Sequence, residues 1–111
     1  MRYKGTKEMP NDELKFNITI NLFGSIRYVA GNDKIDIEYP SGHTVYELLR
    51  FVADKYGKKV EDEIFLPDGN SLREDLTVIV NGMIKERSKV LTTKIEGSTI
   101  VALLPVFPGG G

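Results

Sequence analysis

The sequence predicts a single α+β domain in which one main helix packs across a mixed sheet, and three observations carry that prediction. Residues 15–23 alternate, with Phe16, Ile18, Ile20 and Leu22 set against Asn17, Thr19 and Asn21, the period of a strand with one buried face. Residues 45–56 instead place Val45, Leu48, Leu49, Val52 and Tyr56 at i, i+3, i+4, i+7 and i+11, which draws one apolar stripe down a helix. The third observation is size. A chain of 111 residues, 41% hydrophobic and 28% charged, holds one core and has no room for a second. The stripe must then be buried against the alternating strands.

Taken in order, residues 1–14 read as a flexible N-terminal extension, polar and unpatterned, with Pro10-Asn11-Asp12 breaking regular structure. The folded domain is expected over residues 15–106 and a flexible Gly-rich tail over 107–111. The first strand ends with Phe23 on its polar side, where an aromatic is either packed under the following loop or part of an exposed docking patch. Residues 24–33 read as an irregular loop of about ten residues, turning through Gly24 and Gly31-Asn32-Asp33. Ile35, Ile37 and Tyr39 alternate in a second strand, Lys34 to Tyr39, antiparallel to the first. Pro40-Ser41-Gly42 closes it. Thr44 followed by Glu47 is a capping box, in which the hydroxyl accepts from a first-turn N–H and the carboxylate reaches back to the N-cap N–H. Gly57 then offers a left-handed stop.

Between residues 58 and 75 the pattern weakens. Val60, Ile64, Phe65 and Leu66 suit a short second helix covering one end of the core, and Pro67-Asp68-Gly69-Asn70 suits a turn. Leu76 to Val80 reads as the third strand, Asn81-Gly82 as a tight turn, and Met83 to Arg87 as a short returning strand. A polar connection flanked by Leu91 and Ile95 leads to the turn Glu96-Gly97-Ser98 and the last strand, Ile100 to Leu104.

Composition excludes several chemistries. A net charge of −1, from 15 basic and 16 acidic residues, gives no electrostatic footprint for nucleic acid or an anionic membrane. No segment approaches the roughly 18–20 apolar residues of a membrane span, and no secretory signal is visible, so the expected location is the cytoplasm. The absence of cysteine removes disulfides, thiolate metal ligands and thiol nucleophiles. His43, the lone histidine, reads as a solvated turn residue. The run Glu61-Asp62-Glu63 reads as solvated surface, because adjacent carboxylates diverge.

The end of the chain, Leu103-Leu104-Pro105-Val106-Phe107-Pro108-Gly109-Gly110-Gly111, suggests chemistry. Glycines lack the Cβ that would meet the walls of a narrow channel. The reactive group at the tip would be the Gly111 carboxylate, which is ionised at neutral pH and a poor electrophile until another enzyme activates it, most simply as an acyl-adenylate. The alternative is a frayed end without a role.

In combination, the chain resembles the small β-grasp sulfur carriers, the ubiquitin-like family that includes the small subunit of molybdopterin synthase, the thiamine-pathway sulfur carrier and the archaeal small modifier proteins. The resemblance covers about Phe16 to Gly111. It rests on Leu22-Phe23-Gly24 with Arg27 and Gly31, on Thr44-Val45 with Leu48-Leu49, on Val80-Asn81-Gly82, and on the stretch Ile95 to Pro105 leading to the glycines. Two departures stand out. Pro105 is followed by Val106-Phe107-Pro108, where the family usually has two consecutive prolines, and three glycines stand where it usually has two.

The resemblance implies a β-grasp fold with a four- to five-stranded mixed sheet. It also implies a non-catalytic carrier with no bound cofactor, whose partner resembles a ubiquitin-activating adenylyltransferase using ATP and magnesium. Gly111 would be adenylated and then converted by a persulfide donor to a thiocarboxylate. Gly109, Gly110 and Gly111 would thread into the large subunit of molybdopterin synthase to build the dithiolene, with Phe107, Val106, Pro105 and Phe23 as docking contacts. Two other functions stay open: a protein modifier joined through Gly111 to lysines of target proteins, and a β-grasp interaction domain with an inert tail.

Overall fold

The structure is a computed structural model, and it describes residues 14–105. The expected flexible extension, Leu14 excepted, and the expected tail lie outside the described residues. A five-stranded sheet is built from β1 (Lys15–Leu22), β2 (Lys34–Pro40), β3 (Leu76–Val80), β4 (Met83–Lys85) and β5 (Thr99–Pro105), in the order β2-β1-β5-β3-β4. Pairing is antiparallel except between β1 and β5, which run parallel. The sheet is therefore mixed, with the last strand of the chain inserted at its centre.

Among the described residues four helices accompany the sheet: α1 (Gly24–Ala30), α2 (Val45–Tyr56), α3 (Lys58–Ile64) and α4 (Arg87–Val90). Helix α2 is the expected one. Thr44 accepts from the Glu47 N–H at 3.1 Å while Glu47 accepts from the Thr44 N–H at 2.8 Å, so both halves of the capping box form. Val45, Leu48, Leu49 and Val52 are buried in one core with Ile18, Ile20, Leu22, Val101 and Leu103. Tyr56 is only partly buried, and Ala53 takes the inner position beside Val52. The short helix after Gly57 also forms, and Val60, Ile64 and Phe65 close one end of the core. Gly57 has φ of +100° but an extended ψ, so it separates α2 from α3 rather than forming the left-handed cap.

Two further expectations are corrected. Residues 24–30 form α1 rather than an irregular loop. Its Ile26 is fully buried, with Val29 and Ala30 packed beside it, and Gly31 stops it with φ of 76° and an N–H donated to the Arg27 carbonyl. The seven residues are too short to show a helical period, and the β-branched Ile26 and Val29 weaken the helix signal further. The returning strand ends at Lys85, and Arg87 opens the single turn α4, which carries Val90 into the core. One buried side chain in a four-residue turn leaves no pattern to read.

Candidate functional site

The point from which the tail departs is fixed from both sides. Along β5, Leu103 stands opposite Leu22 of β1 and Val78 of β3, and Pro105 stands opposite Leu76. The Phe23 N–H donates to the Leu103 carbonyl at 3.1 Å, so β1 and β5 stay paired to the end of β1. The chain then turns at Gly24. An added Cβ there would lie 3.6 Å from Pro105 Cδ and 3.8 Å from its carbonyl oxygen, which is ordinary contact. Glycine is required instead by φ of +64°, a conformation that costs an L-residue about 1–2 kcal/mol. A backbone with no side chain thus lies against Pro105.

On the other flank, Asp75 precedes the residue paired with Pro105. Arg73 grips it through Nε and Nη2 at 2.9 and 3.0 Å, a bidentate fork. The guanidinium holds the Asp75 carboxyl below its usual range against the opposing effect of burial. Ser25 donates to Glu63 at 2.6 Å, which ties the start of α1 to α3 beneath the same end.

The face of the sheet away from the core divides in two. On β1 and β2 it carries Asn17, Thr19, Asn21, Lys34, Asp36 and Glu38. On β5, β3 and β4 the cross-strand register brings Ile84, Ile79 and Ala102 into one row, with Leu104 and Ile100 on either side. Ile84 is 72% exposed and Ile100 52%. Phe23 continues the β1 alternation in extended conformation, follows the Leu22–Leu103 pair and is 46% exposed. It therefore stands beside Leu104, and of the two alternatives for Phe23 the structure shows the exposed one. An apolar strip runs across this face to the root of the tail, where isolated exposed apolar residues would need no explanation.

Of the sequence-predicted site residues, Phe23 and Pro105 are brought together at this root. Val106, Phe107, Gly109, Gly110 and Gly111 lie outside the described residues. Sequence reasoning missed Ile79, Ile84, Ile100 and Leu104 as surface. Alternation along β5 carried a signal, since Ile100, Ala102 and Leu104 share a parity opposite to the buried Val101 and Leu103.

The remaining candidates are partnered locally. His43 Nδ1 lies 3.3 Å from Glu47 and its ring 5.4 Å from that of Tyr39, in a half-exposed turn. Glu61 pairs with Arg50 and Asp62 with Lys58, while Glu63 accepts from Ser25, so the acidic run diverges. Among the described residues no group of carboxylates and histidine is placed to hold a metal ion. Among them, too, no helix is long and apolar enough to cross a membrane.

The model of the ThiS family matches residues 20–110. No curated protein matches the sequence. Among solved structures, SAMP1 from Haloferax volcanii aligns at 22% identity over 85% of this chain and 99% of its own, with a TM-score of 0.72. Urm1 from Trypanosoma brucei aligns at 19% identity over 86% and 97%, with a TM-score of 0.71. A protein proposed as molybdopterin converting factor subunit 1 from Pyrococcus furiosus aligns at 23% identity over 83% and 99%, with a TM-score of 0.63. At these identities the structural matches establish the ubiquitin-like β-grasp fold.

Proposed function

The chain belongs to the ThiS family, and on that premise we propose that it is a sulfur carrier: an ATP- and magnesium-using partner adenylates the Gly111 carboxylate with release of pyrophosphate, a persulfide donor displaces AMP to give an acyl disulfide, and a thiol reduces that disulfide to leave a terminal thiocarboxylate. The observation that carries this reading is the tail root. A central strand, paired with β1 up to Leu103 and with β3 up to Pro105, delivers Pro105 between a bare glycine turn and an apolar strip. The strip docks the partner, and residues 106–111 reach its chemistry. The acceptor we assign is the cyclic pterin precussor of molybdopterin, with this chain as the small subunit of molybdopterin synthase, in line with the similarity to the Pyrococcus furiosus protein.

A second reading, conjugation of Gly111 to lysines of target proteins, is favoured by the match to a protein named as a small archaeal modifier. Both share the adenylate. The test is ATP–pyrophosphate exchange with the cognate activating enzyme, comparing the parent, a variant lacking Gly110 and Gly111, and Gly110→Val. The carrier reading expects exchange from the parent, none from the truncation, whose carboxylate stops up to about 7 Å short, and a large loss for Gly110→Val, whose β-branched side chain meets the channel wall. Parent-level exchange by the truncated chain overturns it. Intact mass after sulfuration, with one oxygen replaced by sulfur, separates the carrier from the modifier, which yields higher-mass adducts on other proteins.

A further inference from the structure

Strand β2 forms one edge of the sheet, and its backbone is divided by the register. The Leu22 N–H donates to the Asp33 carbonyl and the Ser41 N–H to the Leu14 carbonyl. Those bonds fix the hydrogen-bonded pairs of β1 and β2 as the odd-numbered residues of β2, because paired residues exchange both bonds and alternate with pairs that exchange none. The N–H and C=O groups of Lys34, Asp36 and Glu38 therefore point away from the sheet, together with the C=O of Pro40. Among the described residues nothing pairs with them. An edge of this kind is a template for another strand, and the charges of Lys34, Asp36 and Glu38 together with Pro40 blunt it against any strand whose charges do not complement them.

Charge decides which strand fits. We infer that β2 pairs antiparallel with β2 of a second copy of this chain, about a twofold axis through Asp36, to give a continuous ten-stranded sheet. In that register Lys34 of each copy stands opposite Glu38 of the other, Ile35 stands opposite Ile37, and all three outward-pointing residues exchange both bonds. Shifting the axis to Ile37 sets Asp36 against Glu38 twice and spends a pairing on Pro40, which has no N–H. Shifting it to Ile35 sets Lys34 against Asp36 twice but leaves Glu38 without a partner in the strand. Only the Asp36 register pairs all three outward-pointing residues with Lys34 opposite Glu38 at both ends.

Its one unfavourable contact is Asp36 against itself. Thr19 Oγ1 donates to Asp36 Oδ1 at 2.8 Å and Lys34 Nζ lies 3.9 Å from Oδ2, so the carboxylate is drawn back over β1 and partly compensated. The pairing does not use Phe23, Ile79, Ile84, Ile100 or the tail root, which stay open on one side of the joined sheet. It stands whether or not the carrier reading does.

Sedimentation equilibrium of the full chain over a wide concentration range tests the inference. A monomer–dimer equilibrium is expected. Lys34→Glu and Glu38→Lys should each weaken it by about tenfold or more, since each turns two facing pairs repulsive, and the double charge swap should recover the parent value. Asp36→Asn should tighten it roughly two- to fivefold by removing the like-charge contact. Far-ultraviolet circular dichroism confirms that these exposed substitutions leave the fold intact. A monomer at every concentration, a dimer indifferent to the single swaps, or a double swap that fails to recover overturns the pairing. The first result is also what would follow if residues 1–13 or a different protein's strand occupied the edge.

Discussion

Replacing Ile84 and Ile100 together by alanine separates docking from folding. Ile84 is 72% exposed and Ile100 52%, so folding buries only about a quarter of the first and half of the second. Full burial of an isoleucine side chain is worth about 1.5–3 kcal/mol. The folding loss should then be about 0.5 kcal/mol for Ile84→Ala and about 1 kcal/mol for Ile100→Ala. A partner that covers the exposed remainder loses about 1–2 kcal/mol at Ile84 and about 1 kcal/mol at Ile100, which together correspond to a rise of roughly 30- to 150-fold in the dissociation constant. Urea unfolding measures the first quantity. The second is read as the KM for this chain in ATP–pyrophosphate exchange with its activating enzyme, at fixed ATP. An unchanged KM for the double variant refutes the strip as a docking surface, even if the tail proves reactive.

Three further outcomes follow from the packing. Leu48→Ala should cost about 2–5 kcal/mol in unfolding free energy, because Leu48 is fully buried in the cluster shared by α2 and the sheet; a loss below 1 kcal/mol would mean that the helix does not pack there. Gly24→Ala should cost about 1–2 kcal/mol through its positive φ rather than through collision with Pro105, so Gly24→Asn, which tolerates that conformation better, should recover part of the loss. The Glu47 carboxyl is held below its ordinary value chiefly by the Thr44 N–H. Its stabilising contribution is therefore present above the unfolded-state value and lost as pH falls through the folded one. Urea midpoints measured from about pH 5 downward should fall less steeply for Glu47→Gln than for the parent; identical slopes would remove the cap from the acid response.

What was legible in the sequence was whatever is periodic over two turns or more, or chemically explicit. β1 and α2 each repeat over enough residues for the period to stand out, and Thr44 and Glu47 name their own hydrogen bonds. α1 and α4 were not legible, since each contributes one fully buried side chain, Ile26 and Val90. The exposed strip was hidden for a different reason. Ile79, Ile84 and Ile100 look like ordinary strand residues, and they become a surface only because β5, the last strand, pairs with both β1 and β3. That pairing is non-local, so no local pattern announces it.

The same insertion bounds the geometry of the proposed reaction. Pro105 is held opposite Leu76 of β3, at the end of a strand whose other side pairs with β1 up to Leu103. Six residues follow it, and a fully extended chain gains at most about 3.3–3.6 Å per residue, so the Gly111 carboxylate can act within about 20 Å of the root and no farther. Fixing the backbone of six residues from an unconstrained chain would cost roughly 6–12 kcal/mol. At about 25 cal/mol per Å², that is offset by roughly 250–500 Å² of apolar surface removed from water. The tail's three glycines have no side chains to bury, so that area is shared between Val106, Phe107 and Pro108 and the face at the root. Phe23, Leu104, Ile100, Ile79 and Ile84 lie on the one face that begins at the root. A partner that receives the tail and also covers this strip keeps its catalytic centre inside the reach of six residues, and the two requirements together restrict the orientation in which it binds.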